Sequence, residues 1–166
     1  MIVSLTGFMG CGKSSVGKAL AARLGWKFID LDTYIITRVA RTMNELFSEG
    51  QEEFRAIEAS CLKTILESVT DNTVLALGGG STLNESSLRL VLDLSHCIYL
   101  QTSLEQIIRR LQASSDTRPL YDKESAGELL LGRIPVYEQA HHTVNTDGRS
   151  VEELSSELSD YVLSLL

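Results

Sequence analysis

Residues Gly7-Phe8-Met9-Gly10-Cys11-Gly12-Lys13-Ser14 spell G-x-x-x-x-G-K-[ST] in full. Glycines at this spacing let successive backbone N–H groups turn inward around phosphate oxygens. Lys13 is placed to reach β- and γ-phosphates, and the Ser14 hydroxyl to sit on Mg²⁺. The helix expected from Ser14 onward aims its N-terminal partial positive charge at the same anion. Gly10, Cys11, Gly12, Lys13, Ser14 and Ser15 are therefore candidates to hold ATP. A full match between a strand and a helix reads as a nucleotide site rather than a plain turn. Cys11 puts a thiol beside a helix N-terminus, an environment that favours the thiolate.

A second group of polar residues follows. In Phe28-Ile29-Asp30-Leu31-Asp32 the two acids are two apart, and on an extended chain such residues face the same way. Asp30 suits a metal held beside the phosphates. Asp32 suits either an acceptor hydroxyl or the N-cap of a helix beginning near Thr33. Arg55 and Glu58 stand three apart on a helical stretch. This is the spacing of an intrahelical ion pair, or of a carboxylate that steadies a guanidinium for an anionic ligand. Gly78-Gly79-Gly80 ends a strand-like run and allows close backbone approach to a ligand. The polar stretch 112–125 loses helical periodicity and reads as a lid, with Arg118 to cover a transferring phosphoryl group. Arg133 stands beside Pro135, which should kink its helix, and with Arg55 could clamp an anion. Arg109 and Arg110 could stack on a purine or face water.

These residues need a scaffold, and the apolar pattern supplies one. Strand-like runs at Ile2–Thr6, Lys27–Asp30, 73–77, 96–100 and 143–145 alternate with helical stretches at 14–24, 33–40, 51–68, 85–93, 103–112, 124–141 and 150–165. Strands separated by helices require crossovers, hence an α/β fold with about five parallel strands covered on both faces. Ligands in such sheets bind beyond the carboxyl ends of the strands, where Gly7, Asp30 and Gly78 fall.

Composition narrows the function. The chain has 166 residues, 43% hydrophobic and 22% charged, with a formal net charge of −7. One domain is expected over 1–166, and the acidic balance disfavours a nucleic-acid partner. No apolar run approaches the roughly 20 residues of a membrane span, and the phosphate loop follows Met1 too closely for a signal peptide. Cys11, Cys61 and Cys97 are three and widely spaced, which suggests neither a disulfide framework nor a zinc site. A cytoplasmic protein is expected. His96, His141 and His142 match no metal-binding spacing, and Asn145-Thr146-Asp147 lacks the Lys of a guanine-reading N-K-x-D motif.

Taken together, Gly7–Ser14, Asp30-Leu31-Asp32, Phe54-Arg55-Ala56-Ile57-Glu58, Gly78-Gly79-Gly80, Arg118-Pro119-Leu120 and Arg133 resemble the shikimate kinase family across essentially the whole chain. The resemblance implies a three-layer α/β/α sandwich with strand order 2-3-1-4-5, like the nucleoside-monophosphate kinases, usually monomeric. It implies transfer of the ATP γ-phosphoryl group to the 3-hydroxyl of shikimate, with Mg²⁺, on the route to chorismate and the aromatic amino acids. Asp32, Lys13 and Arg118 would be catalytic. Asp32, Arg55, Gly78, Gly79, Gly80 and Arg133 would hold shikimate, helped by helices over about 33–60. Arg110 would stack on adenine, and Ser14 and Asp30 would hold the metal. Cys11 replaces a residue that is often small in the family, and Tyr121 one that is commonly Leu. The chief rival is a kinase for another small acceptor, such as gluconate or a nucleoside monophosphate. Further off stand a nucleotide-dependent switch and a scaffold without catalysis.

Overall fold

The computed structural model describes residues 1–113 and 123–166. Its first strand, β1 (Ile2–Thr6), is buried at every position, as a strand covered on both faces must be. It runs through the loop at Gly7–Gly12 into α1 (Lys13–Leu24), followed by β2 (Lys27–Asp30), α2 (Leu31–Val39), α3 (Met43–Ser48) and α4 (Gln51–Ser68). Next come β3 (Thr73–Ala76), α5 (Glu85–Leu94), β4 (His96–Gln101), α6 (Leu104–Ala113), α7 (Lys123–Tyr137), β5 (His142–Asn145) and α8 (Val151–Leu163). The strands form one sheet in the order β2-β3-β1-β4-β5, with every pairing parallel. Both the α/β reading and the expected order hold.

Alternation along the strands sorts the core into layers. Val3, Leu5, Val74, Ile98 and Val144 pack with residues of α1 and α8 on one face, while Ile2, Leu75 and Cys97 pack with α2, α4 and α5 on the other. Side chains of successive strand residues point to opposite faces, so each strand feeds both layers. A third cluster joins Phe8, Tyr99, Ile107, Leu130 and Tyr137, tying α6 and α7 to the carboxyl end of the sheet. Gly17 lets α1 lie close to the sheet, since a Cβ there would come within 2.8 Å of Phe28 Cε2 and 3.2 Å of Leu5 Cδ1.

The larger differences from expectation are at α2, α3 and α7. α2 begins at Leu31, capped by Asp30, rather than near Thr33. α3 was not anticipated; Thr42 and Glu45 form a complete capping box at its start, which lets a short helix form on little apolar surface. α7 ends at Tyr137 rather than at 141, with Pro135 inside it. Proline leaves the carbonyl four residues back without its intrahelical bond, so a helix end soon after it is expected. Among the described residues no helix is long and apolar enough to cross a membrane.

Candidate active site

The loop after β1 turns through left-handed backbone at Gly10 (φ 77°) and Gly12 (φ 97°), conformations costly for residues with a Cβ. Gly12 is the N-cap of α1 and supplies no side-chain cap, so first-turn N–H groups of that helix stay available to an anion. Lys13, only 8% exposed, donates from Nζ to the carbonyls of Gly7 (2.7 Å) and Phe8 (3.0 Å). Its third contact is Cys11 Sγ at 3.7 Å. Cys11 is 1% exposed and packs into the α1 and α8 layer, so its thiol belongs to the core and not to the cavity lining. Arg110 Nη1 donates to the carbonyls of Gly10 (3.3 Å) and Cys11 (3.0 Å), which fixes that guanidinium against the loop.

Where β2 ends, Ser14 Oγ donates to Asp30 Oδ2 and Asp30 Oδ1 accepts from the Thr33 N–H at 3.1 Å. Asp30 is thus the N-cap, and Asp32 lies in the first turn of α2. The expectation of an extended run carrying both acids is corrected: helix starts between them. They still share a cavity of about 290 Å³, with Gly10, Gly12, Lys13, Ser14 and Ser15 on its lining and Gly78, Gly79 and Arg110 beside them.

The glycine run separates this cavity from a second, of about 580 Å³, lined by Arg55, Glu58, Gly80, Ser81 and Asn84 among others. Arg55 Nη1 donates to Glu58 Oε1 at 2.6 Å, and Ser81 Oγ to Glu58 Oε2 at 2.8 Å. With its side chain 4% exposed, Glu58 is a buried charge that these two partners satisfy. Glycine is required here for room. A Cβ on Gly78 would fall within 2.8 Å of Ser81 Oγ and Glu58 Oε2, and 3.2 Å from Asp32 Oδ1; one on Gly80 would lie 2.3 Å from Arg55 Nη2. The glycines therefore let protein side chains close in as well as a ligand.

Arg133 is 8% exposed, with its guanidinium 5.6 Å from the Phe8 ring centroid and Nη1 donating to the Gly79 carbonyl at 3.4 Å. Its Nε is buried without a hydrogen-bond partner among the described residues. Tyr137 donates to the same Gly79 carbonyl at 2.5 Å and its ring lies 5.2 Å from that of Tyr99. Burial pushes both phenols up, Tyr99 to about 12 and Tyr137 further, with the Arg133 guanidinium opposing the rise. Tyr137 carries no signal in the local sequence pattern; its burial is visible only once α7 is docked. Arg118 and most of the 112–125 stretch lie outside the described residues.

Comparison with known proteins fits this geometry. The profile of the family described as Shikimate kinase matches residues 9–163. The chain belongs to the shikimate kinase family. A relative in Thermus thermophilus named shikimate kinase is 40% identical, the match covering 94% of this chain and 86% of the relative. A shikimate kinase structure from Bacteroides thetaiotaomicron superposes with a TM-score of 0.87 at 29% identity, covering 98% of each chain. That of Acinetobacter baumannii shikimate kinase in complex with shikimate gives 0.91 at 29% identity, covering 99% of this chain and 93% of that one.

Proposed function

We propose that the protein is a shikimate kinase, transferring the γ-phosphoryl group of ATP to the 3-hydroxyl of shikimate to give 3-phosphoshikimate and ADP, a step toward chorismate and the aromatic amino acids. The observation that carries the reading is one cavity lined by both the phosphate-loop residues and Asp32, an acid placed to meet an acceptor hydroxyl. The Gly12–Ser15 backbone and Lys13 hold the triphosphate, and Arg110, fixed against the loop, stacks on the base in this reading. Ser14 and Asp30, already in contact, fit the hard oxygen donors that Mg²⁺ takes beside phosphate and water. When bound, that ion neutralises charge on the phosphates.

Asp32 accepts the proton of the 3-hydroxyl and aligns its oxygen with the phosphorus. Arg55, steadied by Glu58, and Arg133, behind Gly79, supply paired cations for the shikimate carboxylate, against the Gly78–Gly80 backbone. Phosphoryl transfer needs positioning and charge neutralisation more than covalent help, and Arg118 completes the cationic set in this reading. Helices over about 33–60 enclose the acceptor, and the 112–125 stretch is the lid. A monomer in the cytoplasm completes this reading.

The test is ADP release from MgATP with shikimate, gluconate, nucleoside monophosphates or no acceptor, with the phosphorylated position read by NMR. Release with shikimate alone, phosphate on the 3-hydroxyl, is the expected result. Turnover with another acceptor and silence with shikimate would overturn the acceptor assignment and keep the kinase. ATP binding without turnover on any acceptor would favour a scaffold.

A further inference from the structure

We propose that Tyr137 is a positioning residue that orients the Gly79–Gly80 peptide so that the Gly80 N–H faces the acceptor. The proposal rests on the shikimate kinase reading above.

Two donors converge on one carbonyl. Tyr137 Oη reaches Gly79 O at 2.5 Å and Arg133 Nη1 reaches it at 3.4 Å. No peptide bond is cis among the described residues, and in a trans peptide the C=O and the following N–H point in opposite directions. Holding the Gly79 oxygen toward α7 therefore turns the Gly80 N–H away from α7. The Arg55 guanidinium lies against Gly80, its Nη2 2.3 Å from where a Cβ on that residue would stand. The neighbouring Ser81 and Leu83 N–H groups bond within the turn, to the Gly78 and Gly80 carbonyls, whereas the Gly80 N–H has no partner among the described residues. A glycine run has wide backbone freedom, and a peptide in it flips unless something holds its oxygen. Tyr137 is suited to do so: at the end of α7 its ring is 0% exposed, packed beside Tyr99 in the cluster with Phe8, Ile107 and Leu130, and its raised pKa keeps it a donor across the working range. Arg133 alone is the weaker tether, at a longer distance and with an acceptor to bind.

The test is Tyr137→Phe, which keeps the ring and removes the donor, in the full chain. The expected result is a shikimate KM raised about tenfold, with the ATP KM within about twofold and the fold intact by circular dichroism. A parallel rise in both KM values, or none, would overturn the proposal, because a packing role has no reason to single out the acceptor. NMR supplies a readout that needs no acceptor: the Gly80 amide resonance should shift and exchange faster in the variant, and an unmoved resonance would overturn the orientation argument. Should the variant not fold, the wild-type Tyr137 hydroxyl proton should still appear as a slowly exchanging resonance with a cross-peak to the Gly80 α-protons; its absence would sink the proposal. Wild-type protein inert toward shikimate would defeat the shikimate kinase reading instead, leaving the NMR result to decide the peptide's orientation.

Discussion

At the carboxyl ends of β1, β2 and β3, polar side chains bond to the backbone and to one another while still lining a cavity; at the amino ends of β4 and β5, they close on themselves. In the second region His96 Nε2 and Tyr161 Oη lie 2.9 Å apart, and the Cys97 N–H donates to His141 Nδ1 at 2.9 Å. His96 stacks on His141 with centroids 4.9 Å apart, and His142 on Tyr161 at 4.0 Å. Three histidines and a tyrosine look from composition like a site, yet their rings stack on each other and His96 and His141 each commit a nitrogen to a neighbour within the fold. At the first region Arg133 Nε is buried and unpartnered among the described residues, and Lys13 has three loop contacts it can exchange for phosphate. What separates function from architecture here is whether a buried polar group has bonding capacity left over.

That contrast can be broken at either end. The largest effect belongs to Asp32→Asn, which should lower kcat by about 10²–10⁴, the usual worth of a positioned proton acceptor, with ATP affinity unchanged by calorimetry; undiminished turnover would remove Asp32 from the reaction. Arg133→Ala comes next. Losing a charged donor costs about 1.5–3 kcal/mol, so the shikimate KM should rise about ten- to hundredfold while the ATP KM barely moves; equal changes in both would break the clamp. Gly80→Ala should raise the shikimate KM by about tenfold and lower the Tm, because the new Cβ pushes the Arg55 guanidinium off the buried Glu58 carboxylate.

The opposite end should answer in stability alone. Tyr161→Phe removes one partly buried hydrogen bond, about 1 kcal/mol, for a fall in Tm of roughly 2–4 °C and unchanged kinetics; altered KM values would mean the two ends are coupled. The smallest effect is in pH. Partial burial holds His96 below its ordinary value of 6.5, and His141 and His142 push the same way. The unfolded chain therefore takes up its proton first as the pH drops through 6.5, and stability declines below that point and not above it. Thermal melts at pH 7.5 and 5.5 should show the decline, and His96→Gln should flatten it; an identical slope in that variant would clear His96 of the effect.

Much of this was legible before any coordinates. The phosphate loop, the five strands and their parallel arrangement follow from local pattern, because short apolar runs between helical stretches leave few alternatives. Arg55 and Glu58 were readable as a pair from their spacing. The strand-to-helix join at Asp30 was not, since two acids two apart both suit an N-cap and only docking decides which one starts the helix. α3 was missed although Thr42-Met43-Asn44-Glu45 carries a capping-box signature, because its apolar surface is too slight to mark a helix by periodicity. The partition of the glycine run between two cavities and the role of the Tyr137 hydroxyl depend on how α4 and α7 meet the sheet, and no local pattern encodes that.

The strand order has a consequence in time. β1 sits in the middle of the sheet, paired to β3 from residue 73 and to β4 from residue 96. On a ribosome, where the amino end emerges first, the segment carrying the phosphate loop leaves the tunnel without either neighbour and waits until residues 73–76 and 96–101 are made. Pairings this remote in sequence are slow to form. The nucleotide cradle is therefore synthesised before the strands that flank β1 and takes shape only after them, so a nascent chain should gain ATP affinity abruptly once β4 has cleared the tunnel rather than by degrees.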